Sequence, residues 1–305
     1  MAGSWRARDS FSAMDEQHWR SPAREPEILP PGEMPEYGYS PGYAQGPMQP
    51  VSPVRRRSGW QIAPATYILT GINVAVYLLM VFSGVSPLSP STNQLVYHWG
   101  ANVGALVLYD HQWWRLLTAT FVHSGVIHIA TNMWCLYNLG LLGEPLLGSF
   151  GVFAVYLLTG VTGSLLSVSL RPGTVVGNVI TDPGIISVGA SGAVFGLAGV
   201  LIPLLGSKLL PVNRAEVGRL RRSVIYFAVL NFVIDFGVNG FHSAMRIDNM
   251  AHMGGFLSGL ALGTVLVPKL GADRGLWVQR QWVAYGGLLL LLLLAAHFVA
   301  NFYRT

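Results

Sequence analysis

The chain has 305 residues, of which 51% are hydrophobic and only 11% are charged, and its formal net charge is +5. Soluble domains are about 25% charged, so this composition predicts a membrane protein. A single cysteine, Cys135, excludes an internal disulfide and a multi-cysteine metal site. The basic residues lie in loops between apolar runs, which indicates membrane topology and not a nucleic-acid-binding face. We therefore expect no nucleic-acid partner, no metal and no cofactor.

Residues 1–60 are rich in Pro and acidic side chains and have no periodic apolar pattern. They are predicted to form a disordered cytoplasmic tail. Seven apolar segments follow, at residues 66–83, 125–142, 150–168, 189–205, 223–240, 249–267 and 282–302. Each is close to the ~20 residues that an α-helix needs to cross a bilayer. The predicted fold is an all-α, polytopic membrane helix bundle of seven helices.

The distribution of basic residues predicts the orientation of this bundle. If the N-terminus lies inside, all but four of the 19 Lys and Arg residues fall in inner segments, as the positive-inside rule requires. The exceptions are Arg115, Arg171, Arg246 and Arg304. A basic cytoplasmic linker at 269–281 then leads to the seventh transmembrane helix at 282–305, and the C-terminus lies outside.

The loop between the first two predicted helices, residues 84–124, is long, aromatic and weakly charged. Trp and Tyr favour the headgroup level of a bilayer, so this loop is expected to lie in the membrane interface. Within it, Trp114 and Arg115 are interpreted as a structural anchor, with the guanidinium held by backbone carbonyls. His123 is expected to hold the end of the loop.

Four polar side chains are predicted to share one depth, because the second, fourth and sixth helices all descend from the outside. These side chains are His128, Asn132, Ser191 and His252. A serine beside a histidine can act as a nucleophile. His128, Asn132 and the backbone N–H of Ser191 could then stabilise an oxyanion. The layer therefore contains the parts of an acyl-transfer site.

Each of these features also has a purely structural interpretation. A G-x-S-G match arises easily by chance in a chain with 36 glycines. His128 with Asn132 could form an interhelical hydrogen bond, and His252 could be a satisfied core histidine. Glycines at helical spacing usually serve helix packing; here they are Gly192, Gly196, Gly199, Gly255, Gly259 and Gly263. The occurrence of all the polar groups at one depth is what favours a functional site.

Two further acidic residues are interpreted structurally. Asp248 lies one turn before His252 and could orient it, but a solvated pair with Arg246 is favoured. Asp235 lies within the fifth predicted helix and is expected to bond a neighbouring helix, with a proton path as the alternative.

Four motifs occur together: WWRLLTATFVH (113–123), HIATN (128–132), GASGAVFGLAG (189–199) and AHMGGFLSG (251–259). In this order and spacing they resemble the rhomboid family of intramembrane serine proteases. The resemblance covers about residues 60–268 and implies a six-helix protease core at 61–268, to which the seventh helix is appended. It also implies a multi-pass protein of a plasma membrane, here expected to be bacterial.

The resemblance implies a role for each matching residue. Ser191 would be the nucleophile, His252 the general base, and His128 and Asn132 the oxyanion donors, in a dyad without an acid. Phe195 would pack on the catalytic histidine, with Gly189, Gly192 and Gly255 in support. The implied function is a serine endopeptidase that hydrolyses peptide bonds in or near transmembrane helices.

The implied partners are the lipid bilayer and transmembrane-protein substrates with a helix-destabilised segment. Two alternatives stay open. One is a catalytically inactive rhomboid-like protein that binds transmembrane helices. The other is a proton-coupled transporter that uses Asp235 and the histidines as a relay.

Overall fold

The computed structural model describes residues 63–177, 179–210, 213–240, 247–267 and 273–303. The predicted tail at 1–60, the loop residue Arg246 and the start of the basic linker lie outside these ranges.

Apolar helices form most of the described chain. In chain order they are α1 Pro64–Phe82, α2 Thr92–Tyr97, α3 Gly104–Leu108, α4 Arg115–Thr118, α5 Val126–Leu170, α6 Ser191–Gly206, α7 Arg214–Gly240, α8 Asn249–Leu266 and α9 Arg274–Phe302. Among the described residues, α1, α5 and α9 are long and apolar enough to cross a membrane, and α6 is a shorter apolar helix. The predicted polytopic helix bundle is confirmed, and the count of seven crossings stays a prediction.

Helix α5 accounts for two of the predicted segments. Its 45 residues would span about 68 Å at 1.5 Å per residue, roughly twice the hydrocarbon thickness of a bilayer. Gly148 interrupts it with non-helical angles, φ 73° and ψ 165°. Beyond this break, the Tyr156 hydroxyl donates to the carbonyl of Thr120 at 3.0 Å, and Thr120 precedes the helix. The chain therefore turns back at Gly148.

A buried carboxylate, Glu144, holds this turn against α1. Its oxygens accept from the backbone N–H groups of Ala65 at 2.8 Å and Thr66 at 2.9 Å. They also accept from the hydroxyls of Thr66 and Ser149, both at 2.7 Å. These four donors compensate for the loss of water around the charge. No role was predicted for Glu144 from the sequence.

Short strands tie the loop at 84–124 to the segment that precedes α6. Strand β1 Asn102–Val103 pairs antiparallel with β4 Ile186–Ser187. A separate hairpin joins β2 Thr174–Val176 to β3 Val179–Asp182. These strands are the departure from an entirely helical chain, and the first pair places the loop directly beside the start of α6.

Arg115 anchors this loop as predicted. Its Nη1 donates to the carbonyls of Val96 at 2.7 Å and Ala101 at 3.0 Å. Its Nε donates to Gln112 at 2.7 Å, and the guanidinium lies 4.6 Å from the centre of the Trp114 ring. Burial lowers the pKa of Arg115, but these carbonyl acceptors give the guanidinium partners in place of water.

Glycines bring the backbones of α6 and α8 into direct contact. A Cβ atom on Gly255 would overlap the carbonyl of Gly192, and one on Gly259 would overlap the carbonyl of Gly196. This confirms the close packing predicted from the spacing of the glycines. The consequence is that short side chains on the two helices can meet.

Candidate active site

Ser191 is the first residue of α6, and the backbone before it is firmly held. The N–H of Gly189 donates to the carbonyl of Ala119 at 2.8 Å, and the N–H of Ala190 donates to Nε2 of His123 at 3.4 Å. Helix geometry leaves the first N–H groups of α6 without intrahelical acceptors. The Ser191 N–H is therefore well placed to bind an oxyanion.

The neutral imidazole of His123 holds the backbone at Ala190, just before Ser191. Burial, and secondarily the neighbouring His128 ring, lower the pKa of His123 to about 3. Nδ1 lies 3.2 Å from the carbonyl of Phe121. The tautomer that carries a proton on Nδ1 donates to that carbonyl and leaves Nε2 free to accept from Ala190. The side chain holds the end of the long loop, as predicted, and reaches the residue before Ser191.

The structure brings Ser191 and His252 together. The Ser191 Oγ lies 2.7 Å from Nε2 of His252, which is in the first turn of α8. The Phe195 ring stacks on the imidazole with centroids 4.5 Å apart and planes 21° from parallel. On the other edge of the imidazole, Nδ1 lies 2.6 Å from Oδ2 of Asp235. A hydroxyl, an imidazole and a carboxyl group are thus arranged in a row, with the hydroxyl placed as a nucleophile beside a base would be.

Asp235 reaches His252 because of the direction of α7. This helix starts at Arg214, shortly after α6 ends at Gly206, so Asp235, about 30 Å further along the axis, returns to the level of Ser191. The expected bond to a neighbouring helix is confirmed. Its partner, however, is His252 of the candidate site, and this partner was not predicted from the sequence.

Asp248 has a different role. Its Oδ1 accepts from the N–H of Ala251 at 3.0 Å and thereby caps the N-terminus of α8. Its Oδ2 accepts from the Ser167 hydroxyl at 2.6 Å. The pair predicted with Arg246 involves a residue outside the described ranges. Both oxygens of Asp248 are thus engaged away from His252.

The His128 ring lies against the backbone just before Ser191. A Cβ atom on Gly189 would come within 2.6 Å of Cε1 and 2.7 Å of Nε2 of this ring, and Gly189 has a φ of +118° that other residues rarely adopt. Nδ1 of His128 lies 2.9 Å from the Ser124 hydroxyl. The His128 imidazole can therefore approach the backbone here only because Gly189 has no side chain.

Asn132 is a buried neighbour of His128 on α5. Its amide donates to the carbonyl of His128 at 2.8 Å. This bond lies within α5 and not between helices, and it uses one of the two N–H donors of the amide.

A small cavity adjoins Ser191. Its lining includes Thr120, Gly160, Ser164, Gly189 and Ala251. It is about large enough for one water molecule, and hydroxyls on its wall offer hydrogen-bond partners. Within the described ranges, no group of three or more His, Cys, Asp or Glu side chains could hold a metal ion. The Ser191 hydroxyl, which contacts His252 Nε2, also lines this cavity.

The amino-acid sequence of the chain is similar to those of known proteins. The family model of the Rhomboid domain matches residues 110–269, which include Ser191 and His252. The rhomboid protease GluP of Bacillus subtilis is 30% identical over 208 residues, or 68% of this chain and 36% of that protein. The rhomboid protease AarA of Providencia stuartii is 29% identical over 211 residues, or 67% of this chain and 73% of that protein.

A plant relative matches over a similar region. RHOMBOID-like protein 2 of Arabidopsis thaliana is 33% identical over 185 residues, or 60% of this chain and 52% of that protein. The chain thus spans about a third of GluP and half of this plant protein. The family model covers more than half of the chain. The apolar helices of the chain form a membrane-embedded, multi-pass bundle. The chain belongs to the rhomboid family.

Proposed function

We propose that this protein is an intramembrane serine endopeptidase that cleaves transmembrane-protein substrates. The observation that carries the proposal is the 2.7 Å contact between the Ser191 Oγ and the His252 Nε2 within a membrane helix bundle. Support comes from relatives that are named rhomboid proteases. An inactive binding protein would not require a serine hydroxyl and an imidazole at hydrogen-bond distance from each other.

The proposed reaction begins with Ser191. Its Oγ attacks the carbonyl carbon of the scissile bond while its proton passes to Nε2 of His252. The oxyanion that forms is stabilised by the Ser191 N–H and by the side chains of His128 and Asn132. His252 then gives the proton to the leaving nitrogen, the C–N bond breaks, and an acyl-enzyme remains. Water hydrolyses this ester with His252 again as the base, which restores the Ser191 hydroxyl.

The substrate must unwind before it can react. A peptide bond within a helix is shielded by its own turn, and a membrane helix keeps its backbone groups hydrogen-bonded. Ser191 begins α6, at the end of the bundle that the basic residues assign to the outside. We therefore propose cleavage near the outer end of a substrate helix, after a small residue and just upstream of helix-weakening residues.

A single-span reporter in liposomes tests this function. The wild-type protein should cleave a reporter that has Gly or Pro just after the scissile bond, and the Ser191→Ala variant should not. Replacing those residues with Leu should slow cleavage, because each Gly replaced stabilises the helix by about 1 kcal/mol and each Pro by more. A wild-type protein that cleaves no reporter would contradict the function. Equal cleavage of the stiffened reporter would contradict only the requirement for unwinding.

The oxyanion role of α5 makes a separate prediction. His128→Ala and Asn132→Ala should each lower kcat by about 10²-fold, while Ser191 still reacts with a fluorophosphonate probe. Thr131→Ala is the matched control, because Thr131 lies on the same turn and its hydroxyl bonds only α5 carbonyls among the described contacts. Wild-type turnover by both test variants would assign His128 and Asn132 a structural role alone.

A further inference from the structure

We propose that Asp235 is a positioning residue that completes a Ser191–His252–Asp235 triad. This inference rests on the proposed peptidase function and goes beyond the two-residue mechanism that the family resemblance implies. It gives α7 a direct part in the site, beside α5, α6 and α8.

The contact with Asp235 bears on the tautomer of His252. When Asp235 is ionised, its carboxylate can only accept hydrogen bonds, so the proton of the neutral imidazole lies on the Nδ1 that is 2.6 Å from Asp235 Oδ2. Nε2 is then left with a lone pair, and it is this atom that lies 2.7 Å from the Ser191 Oγ. The carboxylate therefore holds the imidazole in the form that can take the serine proton.

Asp235 is a buried carboxyl group, and its burial is energetically unfavourable. The contact between Asp235 and His252 is buried, since the two residues are 5% and 6% exposed, respectively. An ionisable group within a membrane helix is expensive, and apolar packing could join α7 to α8 without that cost. The carboxylate becomes favourable when His252 takes the serine proton. At this distance, and in a medium of low dielectric constant, it stabilises the imidazolium that forms.

A second contact fixes α7 close to Asp235. Phe232, one turn before Asp235, packs its ring 4.7 Å from that of Phe195 and 5.7 Å from that of Phe256. Phe195 itself stacks on the imidazole. The same stretch of α7 thus supports the face of the His252 ring through Phe195 and its Nδ1 edge through Asp235.

Asparagine at position 235 separates a positioning role from a structural one. Asp235→Asn keeps the shape of the side chain and can still form a hydrogen bond to His252. A purely structural bond between α7 and α8 would therefore be retained. Its amide, however, donates to Nδ1 and favours the tautomer with the proton on Nε2. We expect kcat for the reporter to fall by on the order of 10²–10⁴-fold with little change in KM. Asp235→Glu keeps a carboxylate and should retain more of kcat.

Asp248→Asn is the matched control, because it makes the same substitution beside α8 at a capping position where Asn also functions. It should leave kcat unchanged. Wild-type kcat in Asp235→Asn would overturn the triad, as would a loss confined to thermal stability. Because the Ser191→Ala blank tests the peptidase function itself, failure of the triad and failure of the function are distinguishable.

Histidine ¹⁵N spectra give a readout that needs no turnover. The His252 signal can be identified by its absence from His252→Gln. In wild type its proton should be on Nδ1, and in Asp235→Asn the population should move to Nε2. An unchanged tautomer in Asp235→Asn would overturn the proposal even in an active enzyme.

Discussion

Ser191→Ala and His252→Ala are each expected to reduce reporter cleavage to the uncatalysed background while the protein still inserts and folds. In the proposed mechanism the Ser191 Oγ is the nucleophile, and the His252 Nε2, which lies 2.7 Å away, is its base. Because the two act as a unit, loss of either should cost nearly as much as loss of both, on the order of 10⁴–10⁶-fold in kcat. Single-turnover cleavage in liposomes measures the loss, and thermal unfolding in detergent verifies the fold.

His297→Ala is a suitable control for the histidine substitution. His297 is an exposed residue of α9 whose Nε2 lies 3.0 Å from the Asn301 amide, so the variant should cleave normally. Retention of more than a few per cent of wild-type activity in Ser191→Ala or His252→Ala would remove the assignment of nucleophile and base.

Gly255→Val is expected to have the largest effect on stability. Even the first carbon of the new side chain would overlap the carbonyl of Gly192, so α8 must move away from α6. Overpacking at such a site costs about 3 kcal/mol or more of unfolding free energy. It would also separate Ser191 from His252. Both the free energy of unfolding and kcat should therefore fall.

A matched pair of alanine variants isolates this effect. Gly143 is also a buried helical glycine, but a Cβ atom there would lie 3.6 Å from Leu201, an ordinary contact. Gly143→Ala should be neutral or slightly stabilising, since Ala favours a helix over Gly by about 1 kcal/mol. Gly255→Ala should be clearly destabilising. Equal thermal stability of the two variants would refute the close contact between α6 and α8.

The layer that contains Ser191 and His252 was predictable because membrane helices simplify the geometry. Alternating helix direction assigns a depth to each residue, and i, i+4 spacing places glycines on one face. Those two rules bring Ser191 and His252 to one level and α6 against α8. The anchoring of Arg115 followed from a similar constraint, since a guanidinium in an apolar loop needs acceptors and backbone carbonyls are the nearest ones.

The role of Asp235 required packing information that these rules do not contain. The depth of Asp235 in the membrane could be estimated, because α7 begins at the side of the bundle opposite to Ser191 and Asp235 lies near the end of that helix. Its direction around the helix axis could not, because that angle is set by contacts such as Phe232 against Phe195. Without the orientation of Asp235 around the helix axis, the sequence predicted only that this residue bonds some neighbouring helix.

Glu144 and Gly148 were missed for related reasons. Glu144 bonds to residues 78 and 79 positions earlier in the chain, and nothing in its local sequence identifies them. Gly148 is one of 36 glycines, and only its φ of 73° marks it as the break within α5. Strands of two residues, such as β1, are too short to show an alternating pattern.

The activation of Ser191 is tested most directly by mapping the site of a fluorophosphonate adduct by mass spectrometry. The wild-type protein in liposomes should carry one adduct, on the peptide that contains Ser191, and His252→Ala should carry none under the same conditions. An adduct on another residue, or equal labelling of Ser191 in His252→Ala, would contradict the proposal that His252 activates this serine.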